Sequence, residues 1–173
     1  MAGGLKEVRE RITSVQNTMQ ITSAMKMVAA AKLRRAQDAI TRMRPYAEKL
    51  QAVLSNVSAS LDSGEGVYSE KRDVKRVLLV AITSNRGLCG GFNNNIIKQV
   101  NNAIKQGGAE YHVLPLGKKA NDAFKKDGSL APQGFGEDTW KIFDDLNFDA
   151  AQEVAEAIME QFRAGTYDAV KIV

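Results

Sequence analysis

Apolar residues recur at alternating steps of three and four from Leu5 to Leu61 without a slip. They fall at Leu5, Val8, Ile12, Val15 and Met19. After two polar exceptions, Thr22 and Lys26, they resume at Ala29, Leu33, Ala36, Ile40, Met43, Ala47, Leu50, Leu54, Val57 and Leu61. Fifteen of these seventeen positions are apolar or Ala. A mean step of 3.5 keeps one seam of a helix facing one partner, which is the signature of a coiled coil. A continuous helix over residues 5–61 would be roughly 85 Å long, more than a domain of this size can enclose. Most of it is expected to stand away from the body and pack on another helix. Pro45 lies inside the pattern and removes one backbone bond, to Thr41. The phase is kept across it, which predicts a kink and not a break. The window 24–31 is apolar or small nearly all round, so it fits either a packed two-helix seam or a shaft held in a collar of other chains.

The chain has 173 residues, enough for one ordinary domain plus an extension. Hydrophobic residues make up 44% and charged residues 25%, which argues against wholesale disorder. The longest apolar stretches fall far short of the ~20 residues needed to cross a bilayer, and the N-terminus does not read as a secretory signal. Cys89 and His112 are the only residues of their types. They exclude an intrachain disulfide framework and a zinc site built from several Cys and His ligands, and they argue against a Ser-His-Asp or Cys-His catalytic site. A reduced, cytosolic setting fits. Residues 1–61 carry ten Lys/Arg and four acids, whereas the other 112 carry 14 and 16. The positive excess therefore lies wholly in the first third, which points to a polyanionic partner: nucleic acid, an acidic lipid surface or an acidic protein.

Beyond the helix, residues 62–74 read as a polar linker, with Gly64 and Gly66 available to cap the helix, and residues 75–173 as a small α/β domain. Residues 77–82 are a continuous apolar run suited to a strand buried on both faces. Residues 93–106 read as a helix with Ile96, Ile97, Val100 and Ile104 on one face, and 110–116 as a second strand. A short helix over 118–126 stops at Gly128. A loop-rich stretch over 129–147 holds Trp140, Ile142 and Phe143. A further helix over 149–164 turns Ala150, Val154, Ala157, Ile158 and Phe162 inward, and 167–173 begins a strand. This order predicts a mostly parallel sheet with helices on its faces. The chain stops within that last strand, which reads as a truncation or as one piece of a longer protein.

Residues 83–93, TSNRGLCGGFN, join a strand to a helix, where doubly wound proteins bind phosphates. The spacing G-x-x-G-G departs from the dinucleotide pattern, and there is no Gly-Lys-Ser/Thr. Glycines in a tight turn explain the segment structurally. Lys32, Arg34, Arg35, Arg42 and Arg44 form a basic run that is either a solvated face or a grip on an acidic protein loop. It lacks the sharp basic block of a nucleic-acid-binding zipper. Cys89 is expected to be a small buried residue, His112 to be structural, and Glu153, Glu156 and Glu160 to form a solvent-facing stripe.

Residues 12–36, ITSVQNTMQITSAMKMVAAAKLRRA, closely resemble the N-terminal helix of the gamma subunits of F-type ATP synthases, and residues 83–93 resemble a second signature of that family. The resemblance covers 5–173 and is of bacterial type. It implies a Rossmann-like three-layer domain outside the α3β3 hexamer and a shaft inside it, completed by a C-terminal helix that is absent here; that helix or another chain would cover the seam. It also implies a non-catalytic rotor with no cofactor or metal and no nucleic-acid partner. Its partners would be the α, β and epsilon subunits and the membrane c-ring, placing it peripherally on the cytoplasmic side of the bacterial cell membrane. Met25, Lys26, Met27, Lys32, Arg34 and Arg35 would face the acidic loops of the β subunits, and Arg86, Gly87, Gly90 and Gly91 would form the signature turn. The alternatives from the residues alone are a nucleotide-binding α/β domain with a coiled-coil dimerisation arm, and a basic coiled-coil nucleic-acid binder.

Overall fold

The computed structural model describes residues 3–60, 66–68, 70, 72–132, 134–136 and 138–173. The chain divides into two units, Met1–Leu61 and Asp62–Val173.

The first unit is one helix, α1 (Gly3–Ser60), of 58 residues, which at 1.5 Å per residue is roughly 87 Å long. It runs through Pro45 unbroken, as the retained phase requires. Every α1 residue whose exposure is described is exposed, including Leu5, Ile12, Leu33, Ile40 and Leu54 on the seam. The expected end of the seam at Leu61 and the Gly64 cap lie outside the described residues.

The second unit is built on three parallel strands in the order β2-β1-β3. They are β1 (Arg76–Ile82), β2 (Glu110–Leu116) and β3 (Ala169–Ile172). β1 pairs with β2 from Arg76↔Glu110 to Ile82↔Leu116, and with β3 from Val77↔Ala169 to Val80↔Ile172. Five consecutive residues of β1, Val77 to Ala81, are buried. Alternation divides them between two cores. Val77, Leu79 and Ala81 meet Val100, Val113, Ala120 and Phe124 on one face. Leu78 and Val80 meet Leu114, Leu116, Phe135 and Tyr167 on the other. Each buried Val, Leu or Phe among them contributes about 1.5–3 kcal/mol by leaving water.

Helices α2 (Phe92–Gln106) and α3 (Lys118–Asp127) cover the first face, α2 through Ile96, Ile97 and Ile104. Helix α4 (Phe148–Arg163) covers the second through Val154, Ala157 and Ile158. The architecture is therefore the expected α/β one. Gly128 and Gly165 adopt left-handed backbone at the ends of α3 and α4, at φ 68° and 73°, as helix-stopping glycines do. The regular pairing of β3 begins two residues later than expected, but Tyr167, just before it, is buried and closes the second core. The loop-rich stretch contains a 3-10 turn, Thr139–Lys141.

Candidate functional site

Two regions carry the residues singled out by sequence, and they fall in different units. The first is the basic, apolar-rich part of α1. Met25, Lys26, Met27, Lys32, Arg34 and Arg35 are all exposed, and among the described residues none of the four cations has an ion-pair partner within α1, whose one close pair is Lys6–Glu10. The apolar band steps sideways here. Where the seam shows Thr22 and Lys26, the exposed residues Ile21, Met25 and Val28 lie on its flank. The Thr22 hydroxyl donates back to the Thr18 carbonyl at 2.8 Å, so its polarity is spent on its own helix. Lys26 is left as the one charged break in the seam, and its aliphatic stem can lie along apolar surface with the ammonium in water. The surface offered is therefore broad, apolar and positively charged.

The second region is the turn from β1 into α2, at the carboxyl end of the parallel strands. Its keystone is Asn93, 8% exposed, a residue the sequence reading did not single out. Its Oδ1 accepts from the Ser84 backbone N–H at 3.0 Å and the Ser84 hydroxyl at 3.1 Å. Its Nδ2 donates to the Arg86 carbonyl at 3.2 Å and lies 3.1 Å from Cys89 Sγ. The Ser84 hydroxyl, 3.1 Å from Asn93 Oδ1, is also 2.6 Å from the Arg86 carbonyl. The Ser84 and Asn93 side chains are thus committed to closing the turn.

Neighbouring loops lock onto this turn. Asn85 Nδ2 donates to Asp144 at 2.8 Å, and its Oδ1 accepts from the Lys118 N–H at 3.0 Å. Helix α3 has no cap from its own N-terminal side chain. Thr83 supplies one from across the sheet, its hydroxyl accepting from the Ala120 N–H at 2.9 Å. Gly117 makes the approach possible: at φ 114° a Cβ would sit 2.1 Å from the Thr83 carbonyl oxygen.

Of the signature glycines, Gly90 needs its identity for backbone reasons, with φ 60°; Gly87 has open space where a side chain would be, and Gly91 would bring a Cβ to 3.3 Å of Asn95. Arg86 is exposed. The expectation that Cys89 is buried is wrong: it is exposed. It sits between Leu88 at φ 61° and Gly90, two left-handed residues that turn the tip outward, so its sulfur takes a hydrogen bond from Asn93 instead of an apolar neighbour. Leu88 is fully exposed. His112 lies on β2, edge-on to the Tyr167 ring with centroids 5.7 Å apart, a structural setting. Glu153, Glu156 and Glu160 are exposed as expected. Among the described residues no group of three His, Cys, Asp or Glu side chains is placed to hold a metal, and no helix is long and apolar enough to cross a membrane.

A family model described as ATP synthase matches residues 4–173. The chain is 52% identical over 171 residues to a protein of Flavobacterium psychrophilum called ATP synthase gamma chain, covering 98% of this chain and 58% of that one. A protein of the same name from Flavobacterium johnsoniae is 52% identical over 172 residues, with the same coverage. One from Heliobacterium modesticaldum is 43% identical over 173 residues, covering 98% of this chain and 57% of that one. The chain thus spans somewhat over half the length of these curated relatives.

Proposed function

The chain belongs to the ATP synthase family, and from that premise we propose that it is part of a gamma chain, the central-stalk rotor that couples ion flow to ATP synthesis and hydrolysis without catalysing either. One observation carries the reading: the 58-residue α1 is a continuous helix, and large apolar side chains along its seam, Leu5, Ile12, Leu33, Ile40 and Leu54 among them, are exposed. Such a rod is of use where other chains enclose it. The partners proposed are the α and β subunits around the shaft, with the epsilon subunit and the membrane ring at the α/β domain. The complex would hold the chain peripherally at the cytoplasmic side of the bacterial membrane.

In this reading Met25 and Met27 give the shaft a broad apolar contact. Lys26, Lys32, Arg34 and Arg35 face acidic loops of the enclosing subunits. Exposed ion pairs contribute only ~0–1 kcal/mol each, so the shape and stiffness of the rod dominate over any single pair. The turn that includes Arg86, Gly87, Gly90 and Gly91 presents a fixed loop at the carboxyl end of the sheet, and its hydrogen bonds serve rigidity.

Deleting the chain from the complex tests the proposal. ATP synthesis that stays coupled to ion flow without it would refute the rotor role. Within the shaft, Leu33→Asp and Ile40→Asp are expected to lower coupled turnover well below Lys26→Ala. Equal losses in all three would contradict a rod governed by packing.

A further inference from the structure

Three large apolar side chains stand in water within residues 143–148. Phe143 is 37% exposed, Leu146 59% and Phe148 77%. Single exposed apolar residues are ordinary on a protein surface, but a group of them marks a contact. Local structure gives these three no use. Ile142, beside them, packs against the second core, and α4 meets that core through Val154, Ala157 and Ile158. The start of α4 is closed by Asn147, whose side chain accepts from the Ala150 N–H at 2.8 Å. A hydrophobic staple across that cap would cover Leu146 with Ala151, yet both are exposed. Phe148 alone leaves most of the roughly 150–250 Å² of an aromatic side chain in water.

The group is rimmed by negative charge. Residues 138–160 carry seven acids and one base, Lys141, which already pairs with Asp138 at 2.8 Å. Asp144 accepts from Asn85 at 2.8 Å. Asp145 and Asp149 are exposed, and among the described residues neither makes an ion pair. Asp149 lies in the first turn of α4 and favours its dipole, but Asp145 lies outside the helix. Charge of this sign repels nucleic acid and anionic lipid headgroups and attracts Lys and Arg. Aromatic rings beside carboxylates suit arginine above all. A guanidinium is weakly hydrated, stacks on rings and pairs with carboxylate oxygens.

We propose that Phe143, Leu146 and Phe148 are a docking surface for a segment of another polypeptide, which sets an apolar side chain among them and lays arginine side chains against Asp145 and Asp149. The apolar contact supplies the affinity, and the carboxylates select the partner by charge. The surface lies wholly within the α/β unit. It goes beyond the rotor reading and stands without it.

The test uses the assembled complex containing this chain. In a Cys89→Ser background, Gln152→Cys carries a benzophenone one helical turn from Phe148 and leaves all three apolar side chains in place. Illumination is expected to join it to one other polypeptide, within a segment that carries arginine. Leu146→Ala with Phe148→Ala should lower the yield about tenfold. Asp145→Asn with Asp149→Asn should lower it about threefold. The Trp140 unfolding transition should stay in place in both, since the side chains changed are exposed. If the alanine pair fails to fold, the asparagine pair, which removes no packed atoms, is judged alone. The same label at Lys125→Cys, exposed on α3, gives the background. A yield no higher than that background would overturn the docking surface. So would an adduct within this chain, with a second copy, with lipid or with a segment free of arginine, and so would a yield that neither pair lowers. A complex that stays coupled to ion flow while giving no adduct loses the docking surface alone; one that stays coupled without this chain loses the rotor reading alone.

Discussion

Helix α1 and strand β1 are both rich in Val, Leu, Ile and Ala, yet one buries none of them and the other buries five in a row. The difference lies in spacing. In β1 the apolar residues are consecutive, so alternation sends them to both faces of a sheet that the same chain covers with helices. In α1 they recur every 3.5 residues, which gathers them on one stripe and demands a second rod of matching length. Among its described residues the α/β unit has no element approaching the length of α1; the longest helix there, α4, has 16 residues. Similar residue types therefore specify self-sufficiency in one unit and dependence on a partner in the other.

The sharpest way to break this contrast is to truncate one large side chain in each region. Phe124 is 0% exposed and Leu33 is 59% exposed. Phe124→Ala should destabilise the α/β unit by about 3–5 kcal/mol. Leu33→Ala should shift the same transition by no more than about 0.5 kcal/mol, as surface substitutions do. Denaturant unfolding followed by the single tryptophan, Trp140 on the 3-10 turn, reads the α/β unit directly. A large effect of Leu33→Ala on that signal would mean that the seam is covered within the chain.

Pro45 sharpens the comparison from the other side. It lies within α1, where it can donate no backbone hydrogen bond to Thr41. Pro45→Ala should favour the helix by about 3 kcal/mol and raise far-UV helicity, while the Trp140 transition stays in place. A smaller effect is expected for Asn93→Ala. It leaves the Ser84 N–H and the Arg86 carbonyl short of a partner and should cost about 1–3 kcal/mol by the tryptophan signal. Asn93→Asp keeps the acceptor for Ser84 but loses the donor to Arg86, and should fall between the two.

What could be read before the structure was whatever is written locally. The seam of α1, the buried run of β1, and the helices that stop at Gly107, Gly128 and Gly165 are all patterns within a few residues, and they appear within one or two positions of where periodicity and glycine place them. The turn at 83–93 was located by its glycines, but its physical basis was not. Asn93 reaches back to residues 84, 86 and 89, Asn85 reaches forward to Asp144, and Thr83 caps α3 at Ala120. An asparagine at the start of a helix whose N-cap is a glycine was the one available clue. A cysteine with no histidine near it in sequence reads as a small interior residue, but the left-handed residues on either side of Cys89 turn it out. Arg72 falls in the stretch read as a polar linker and Arg76 just beyond it, and nothing local marks either, since the carbonyls they bind lie 90 and 89 residues further on.

The smallest expected effect tests that long-range tie through pH. The Asp168 carboxylate accepts the N–H groups of Arg76 and Lys75, and these bonds, Arg76 first, hold its pKa below the ordinary value of 3.8. A carboxyl group with a depressed folded-state pKa binds its proton more readily in the unfolded chain. Its stabilisation is therefore complete above the ordinary carboxylate range and is lost as pH falls through that range towards the folded value. Asp168→Asn keeps an acceptor but takes up no proton. The parent should start the more stable near about pH 6 and lose that lead steadily below about pH 4, where the two unfolding midpoints converge. The other carboxylates titrate in both proteins and cancel in the difference. Midpoints that run parallel across the acid limb would mean that Asp168 does not hold the start of β1. The Arg76 side chain on the Gly165 carbonyl and the Asp168 N–H on the Arg76 carbonyl would then hold that strand to the segment after α4.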